Sequence, residues 1–138
     1  MKPTDDAIYR ILTGDAEIHS LVGTQIYREG SVPQTATFPR IHYGQFSGVP
    51  QYTYPYEAYK RTVQMIKGVD LGFSTAKVNA INDRVSELFN LGPMQTIDAD
   101  PYVIKYSRRI RDLEMTERDG DKWYQHLGGE FEQLMELK

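Results

Sequence analysis

Three histidines, His19, His42 and His126, are the side chains best suited to acid–base or metal chemistry, and their spacing serves neither. They fall on three separate predicted elements, and no two share the i, i+4 or short-loop separation that metal ligands favour. There is no cysteine, which removes thiol nucleophiles, cysteine zinc sites and disulfides and fits assembly in a reducing cytoplasm. Asp98-Ala99-Asp100 has the first two acids of a calcium loop without its later acidic and glycine positions, and reads as a turn before Pro101. Gly44 and Gly48 lead into a Pro/Tyr stretch instead of a phosphate-binding helix, and Ser47 sits in no G-x-S-x-G elbow. No catalytic, metal-binding or cofactor-binding set is predicted, and an enzyme is not expected.

What remains are residues suited to contact. Ser47-Gly48-Val49-Pro50-Gln51-Tyr52-Thr53-Tyr54-Pro55-Tyr56 reads as a loop, because two prolines oppose both ladder pairing and helix. Tyr52, Tyr54 and Tyr56 crowd it. The chain has ten tyrosines, and tyrosine offers a broad apolar face with a hydroxyl at small entropic cost. The segment is expected to order against a protein partner, with Gly30–Thr37 as a second contact loop. Lys105, Arg108, Arg109 and Arg111 form a basic run in which Lys105, Arg109 and Arg111 share one strand face. Those cations either pair across a hairpin with Asp112, Glu114 and the acids of 130–136, or meet an acidic neighbouring subunit.

The elements that position these residues follow from periodicity and punctuation. Asp5 or Asp6 caps a first helix that Gly14 ends; Asp15 caps a second that Gly23 closes. Short strands are predicted at Thr24–Arg28 and Pro39–Phe46, and a longer one at Glu57–Asp70. In the last, Tyr59, Val63, Met65 and Val69 take one face, and Lys60, Thr62 and Gln64 the other. Ser74 caps a helix with Val78, Ile81, Val85 and Leu88 on its stripe, stopped by Leu91-Gly92-Pro93. Tyr102–Thr116 and Lys122–Leu137 make a hairpin turning at Asp119-Gly120, with a bulge near Asp112 and a bend at Gly128-Gly129. The expected fold is α+β: one domain over 1–138, a mostly antiparallel sheet with helices packed on one face, in the order α-α-β-β-β-α-β-β.

Composition agrees. The chain has 138 residues, 40% hydrophobic and 25% charged, and a net charge of −3, with a pI near 5.6. A duplex-binding protein carries a basic surplus instead. No apolar run approaches the roughly 20 residues that cross a bilayer, and the start lacks a signal-like apolar stretch.

In order and spacing the chain resembles the tail-completion, or tail-terminator, proteins of long-tailed (siphovirus-type) bacteriophages. The likeness rests on the helix pair ending in Leu21-Val22-Gly23 before Gln25-Ile26-Tyr27, and on Phe38-Pro39-Arg40-Ile41-His42-Tyr43 followed by Ser47-Gly48-Val49-Pro50. It continues through Arg61-Thr62-Val63-Gln64-Met65-Ile66 feeding the helix from Ser74, to the closing hairpin with Glu130-Phe131-Glu132-Gln133-Leu134. One departure is Gln125-His126-Leu127-Gly128-Gly129, where the family commonly has an arginine-rich approach.

The resemblance implies a homohexameric ring at the head-proximal end of a virion tail, assembled in the host cytoplasm. Such a ring caps the tail tube and helps join tail to head. It contacts the major tail tube protein and a head-completion or connector protein, with DNA passing through as cargo, no membrane and no cofactor. The residues themselves leave alternatives: a head-closure or adaptor protein of the neck, or a small ligand-binding domain using His42 with Asp98 or Asp100. A nucleic-acid module using Arg108, Arg109 and Arg111 is another.

Overall fold

The structure is a computed structural model that describes residues 2–53, 56–91 and 95–138; the side chains of 46–53 and 56–59 lie outside that description. Three helices, α1 (Lys2–Gly14), α2 (Ala16–Val22) and α3 (Ala76–Phe89), accompany six strands. These are β1 (Ile26–Arg28), β2 (Arg40–Thr53), β3 (Tyr56–Leu71), β4 (Ile97–Ala99), β5 (Tyr102–Asp119) and β6 (Lys122–Leu137). They form one sheet in the order β1-β2-β3-β6-β5-β4. Among the described residues only β1 and β2 run parallel. The α+β fold expected from the sequence is the fold observed, with the short strand β4 added where a turn was read.

Local signals explain the helices. The Asp15 carboxylate accepts the Ile18 N–H at 3.0 Å, and Gly23 closes α2 at a φ of 63°. Thr75, not Ser74, stands at the N-cap of α3; the Ser74 hydroxyl accepts from the Ala76 N–H at 3.3 Å. Gly92 and Pro93, read as its stop, lie outside the described residues. The core gathers Ile8 and Leu12 of α1, Ile18 of α2 and Ile81 and Phe89 of α3 over Ile41, Ile66 and Phe131 of the sheet, all fully buried. Each such side chain contributes roughly 1.5–3 kcal/mol.

The stretch read as a loop at Ser47–Tyr56 is instead the end of a long β2–β3 hairpin, paired as far as Thr53↔Tyr56; Tyr54 and Pro55 lie outside the described residues. Pro50 fits for a reason of phase. Ile41 and Tyr43 direct their peptide groups toward β1, the Ile41 N–H donating to the Gln25 carbonyl at 2.9 Å. The register shift between Gln45 and Ser47 moves that phase by one residue. The Pro50 nitrogen therefore faces the outer edge beyond the end of β1, where no ladder bond is lost.

The two faces of β3 divide as read from the sequence, and both are buried. Thr62, Gln64, Ile66 and Gly68 form the helix-facing set: a Cβ on Gly68 would lie 3.1 Å from Ile81 of α3, and the other three are fully buried. Met65 and Val69, on the opposite face, are buried too. A central strand covered on both sides does not reveal its core side by alternation. The Thr62 hydroxyl and both polar atoms of Gln64 have no hydrogen-bond partner among the described residues. Gln64→Met, similar in volume, is thus expected to raise unfolding free energy by about 1 kcal/mol, read from the urea midpoint.

Likewise, the bend expected at Gly128-Gly129 is uninterrupted β6, paired on both sides. The bulge expected near Asp112 falls between Arg109 and Arg111, with another between Ile104 and Tyr106.

Candidate functional site

The residues read for chemistry stay apart. His42 lies on β2, whereas Asp98 is on β4 and Asp100 just after it; three strands intervene, about 19 Å at roughly 4.8 Å per strand, and the registers place His42 level with Gly128 but Asp98 level with Glu136, far along β6. Both aspartates are tied to Lys138, whose ammonium holds Asp98 below the usual carboxylate range through a hydrogen bond and lies 3.2 Å from Asp100. No group of three metal-ligating side chains occurs among the described residues. The His42–aspartate pocket is not formed.

His42 has a different environment. Its Nε2 accepts from Arg40 Nε at 2.9 Å, so its proton sits on Nδ1, 3.1 Å from the Glu29 carboxylate. Lys67 Nζ stands 3.9 Å from the same carboxylate. Burial, with Arg40 and Lys67 adding to it against the pull of Glu29, lowers the His42 pKa to about 4. His126, on the same sheet face, is also pushed down, by burial and then by Lys67. Both rings are therefore neutral at pH 7.

The basic run does not share one face. Lys105 pairs with Glu136 at 3.4 Å, Arg108 with Glu132 at 3.5 Å and Arg111 with Glu130 at 3.4 Å, across the β5–β6 ladder. These are the hairpin pairings weighed from the sequence. Arg109 turns the other way, because a bulge separates it from Arg111. Its guanidinium lies under α3, donating to Asn82 at 2.7 Å, Ser86 at 2.9 Å, the Gly128 carbonyl at 2.5 Å and Asp112 at 2.7 Å. It fastens helix to sheet. Lys105, Arg108 and Arg111 remain about half or more exposed, outer members of an ion-pair row on the helix-free face.

Two further surfaces went unread in the sequence. At the end of the sheet that carries the β5–β6 turn, Phe73 is 76% exposed and stacks on Trp123 with ring centres 5.5 Å apart. Arg118 lies over Trp123 at 5.2 Å, Leu71 is exposed nearby, and Phe38 stacks on Tyr124. The signal was present in Leu71-Gly72-Phe73 and Trp123-Tyr124, apolar pairs at strand ends. On the helix-free face, a groove of about 360 Å³ is lined by Met65, Lys67, Leu113, Glu114, Met115 and His126.

The paired end of β2 and β3, at Thr53↔Tyr56, lies at the opposite end of the sheet, since β3 and β6 run antiparallel from Tyr59↔Glu136 to Leu71↔Tyr124. Ser47, Gly48, Val49, Pro50, Gln51, Tyr52 and Tyr56 are placed there as paired backbone. The ends of the two hairpins thus form two poles at opposite ends of the sheet.

No family model matches this sequence, and neither does any curated protein. Among solved structures, a chain of one described as "Virion of native gene transfer agent (GTA) particle" matches 95% of this chain and 92% of its own length. The TM-score is 0.76 and the identity 17%, a likeness of fold.

Proposed function

We propose that this chain is a structural protein of a phage-type virion, which closes into a six-membered ring, caps the tail tube and helps join tail to head. The observation that carries this reading is the fold match over nearly the whole of both chains with a component of a gene transfer agent virion. The placement of the two hairpin ends at opposite ends of the sheet supports it. A protein that stops a head-to-tail polymer must match the polymer on one side and refuse it on the other. Its partners are further copies of itself, the tail tube protein and a head-completion or connector protein, with DNA passing through the ring. Its place is the head-proximal end of the tail, and its role is structural. The β2–β3 hairpin end and the row of Lys105, Arg108 and Arg111 are the proposed contacts.

Electron micrographs of the purified chain, alone and with tail tubes, test the reading. Closed six-fold rings with a central hole are expected; absence of rings under both conditions would overturn it. Replacing Tyr52, Tyr54 and Tyr56 by serine is expected to leave unfolding free energy within about 0.5 kcal/mol of the parent. Joining of tails to heads is lost in that variant. Loss of the unfolding transition instead would assign the tyrosines to the fold.

A further inference from the structure

β5 is long and its outer side is bare over half its length. β4 pairs only with Tyr102–Ile104, Leu91 reaches Ser107, and the Asn90 side chain accepts the Arg109 N–H at 3.2 Å. Beyond Arg109, nothing among the described residues pairs with that side. Ser107 and Arg109 direct their peptide groups outward; the register shift before Arg111 moves the phase by one. Asp112, Glu114, Thr116 and Arg118 therefore present outward N–H and C=O groups in an unbroken row without proline. Such a row is a template for another strand.

We propose that a second copy of this chain closes the edge, with the two β5 strands antiparallel about a two-fold axis at Met115. The charges select this register. Around that axis Arg111 faces Asp119 of the partner subunit, and Asp112 faces Arg118 of the partner subunit. Glu114 faces a threonine, Leu113 the stem of a glutamate, and Met115 its own copy. Moving the axis to Glu114 sets that carboxylate against itself. Moving it to Thr116 leaves one kind of unlike pair along the strands, Glu114 with Arg118 of the partner subunit, in place of two, and puts Leu113 opposite Asp119 of the partner subunit. The phase agrees as well: the residues with outward peptide groups meet one another, 112 with 118 and 114 with 116, as hydrogen-bonded pairs.

The side chains involved are available. Asp112 is 83% exposed although one oxygen meets Arg109, and Arg111 is 70% exposed beside Glu130. Met115, 48% exposed at the rim of the helix-free groove, would be covered by its counterpart. A single-signed edge repels its own copy, whereas this one carries opposite charges at the two outer positions on either side of its centre, 111 with 119 and 112 with 118. The contact goes beyond the ring proposal. Closing a ring takes head-to-tail contacts, while this one is two-fold and joins two subunits or two whole rings. Its failure would leave the ring reading standing.

The absence of cysteine makes the test direct. In a non-hydrogen-bonded antiparallel pair the Cα atoms stand about 4.5 Å apart, within the range a disulfide spans. Met115→Cys is expected to give a disulfide-linked dimer under mild oxidation, while Lys122→Cys, also exposed, stays mostly unlinked. Adding Asp112→Arg or Arg118→Asp to M115C should slow linkage about tenfold, and adding both should restore it. Circular dichroism of the reduced variants checks that each is folded. Equal linkage at the two cysteine positions, or linkage indifferent to the single reversals, would overturn the proposal.

Discussion

Gly128→Ala is expected to cost more than about 4 kcal/mol, enough to erase cooperative unfolding in a domain whose whole stability is of order 5–15 kcal/mol. β3 crosses β6 so closely at this point that an added Cβ would overlap the Ile66 carbonyl oxygen and the Lys67 Cα. Backbone atoms of a central strand cannot step aside without breaking the ladder on both their sides. The next position makes a milder case. A Cβ on Gly129 would sit 2.7 Å from the Arg109 guanidinium, the end of a flexible side chain. Gly14, with nothing within 4 Å, is the control: Gly14→Ala is expected to be neutral or slightly stabilising. Urea unfolding of the three variants measures the ranking, and a Gly128→Ala chain as stable as the parent would show that the close crossing is absent.

The second large effect is an acid-side loss of stability before the carboxylates titrate. His42 takes up a proton near pH 6.5 when unfolded but only near pH 4 in the fold, where it is buried beside Arg40 and Lys67. Between those values the unfolded chain binds the extra proton. Stability is therefore full above about pH 6.5, falls as pH drops toward 4, and levels off below. A gap of that size gives a loss of about 2–3 kcal/mol between pH 7.5 and 4.5. His126, lowered in the same direction, adds to it. Asp15 and Asp98, held low by Arg84 and Lys138, lose their contributions only at lower pH. Unfolding midpoints across this range should show the slope, and His42→Gln should remove most of it. A flat profile in the parent would mean that His42 takes up its proton at the same pH in the folded and unfolded chain.

Much of this fold is legible in the residues because its punctuation is local. Asp15 and Gly23 frame α2, Asp119-Gly120 turns the β5–β6 hairpin, and the α3 stripe of Val78, Ile81 and Val85 is the buried stripe found. What was misread depends on neighbours distant in sequence. Pro50 argued for a loop until the phase of β2 relative to β1 put its nitrogen on the outer edge. Thr62 and Gln64 fell on the right face, but their burial was not legible, because polarity marks the exposed side only where a strand has one. Arg109 joined Lys105 and Arg111 on paper, since a one-residue register shift reverses a side chain without leaving a mark in composition. The interface residues named from the sequence were chosen by type. Tyrosines and arginines stand out in a chain, whereas the bare edge of β5 is invisible without its partner strands.

The seam between β3 and β6 has a mechanical meaning. It joins the hairpin that carries one pole to the hairpin that carries the other, and its strands run along the line between them. Tension applied from pole to pole therefore shears the seam, loading all its rungs from Tyr59↔Glu136 to Leu71↔Tyr124 at once, instead of peeling them one by one. Force across the sheet would open the same bonds in succession. The molecule is strongest along the line of these strands, the direction in which two bodies held at the two hairpin ends would pull.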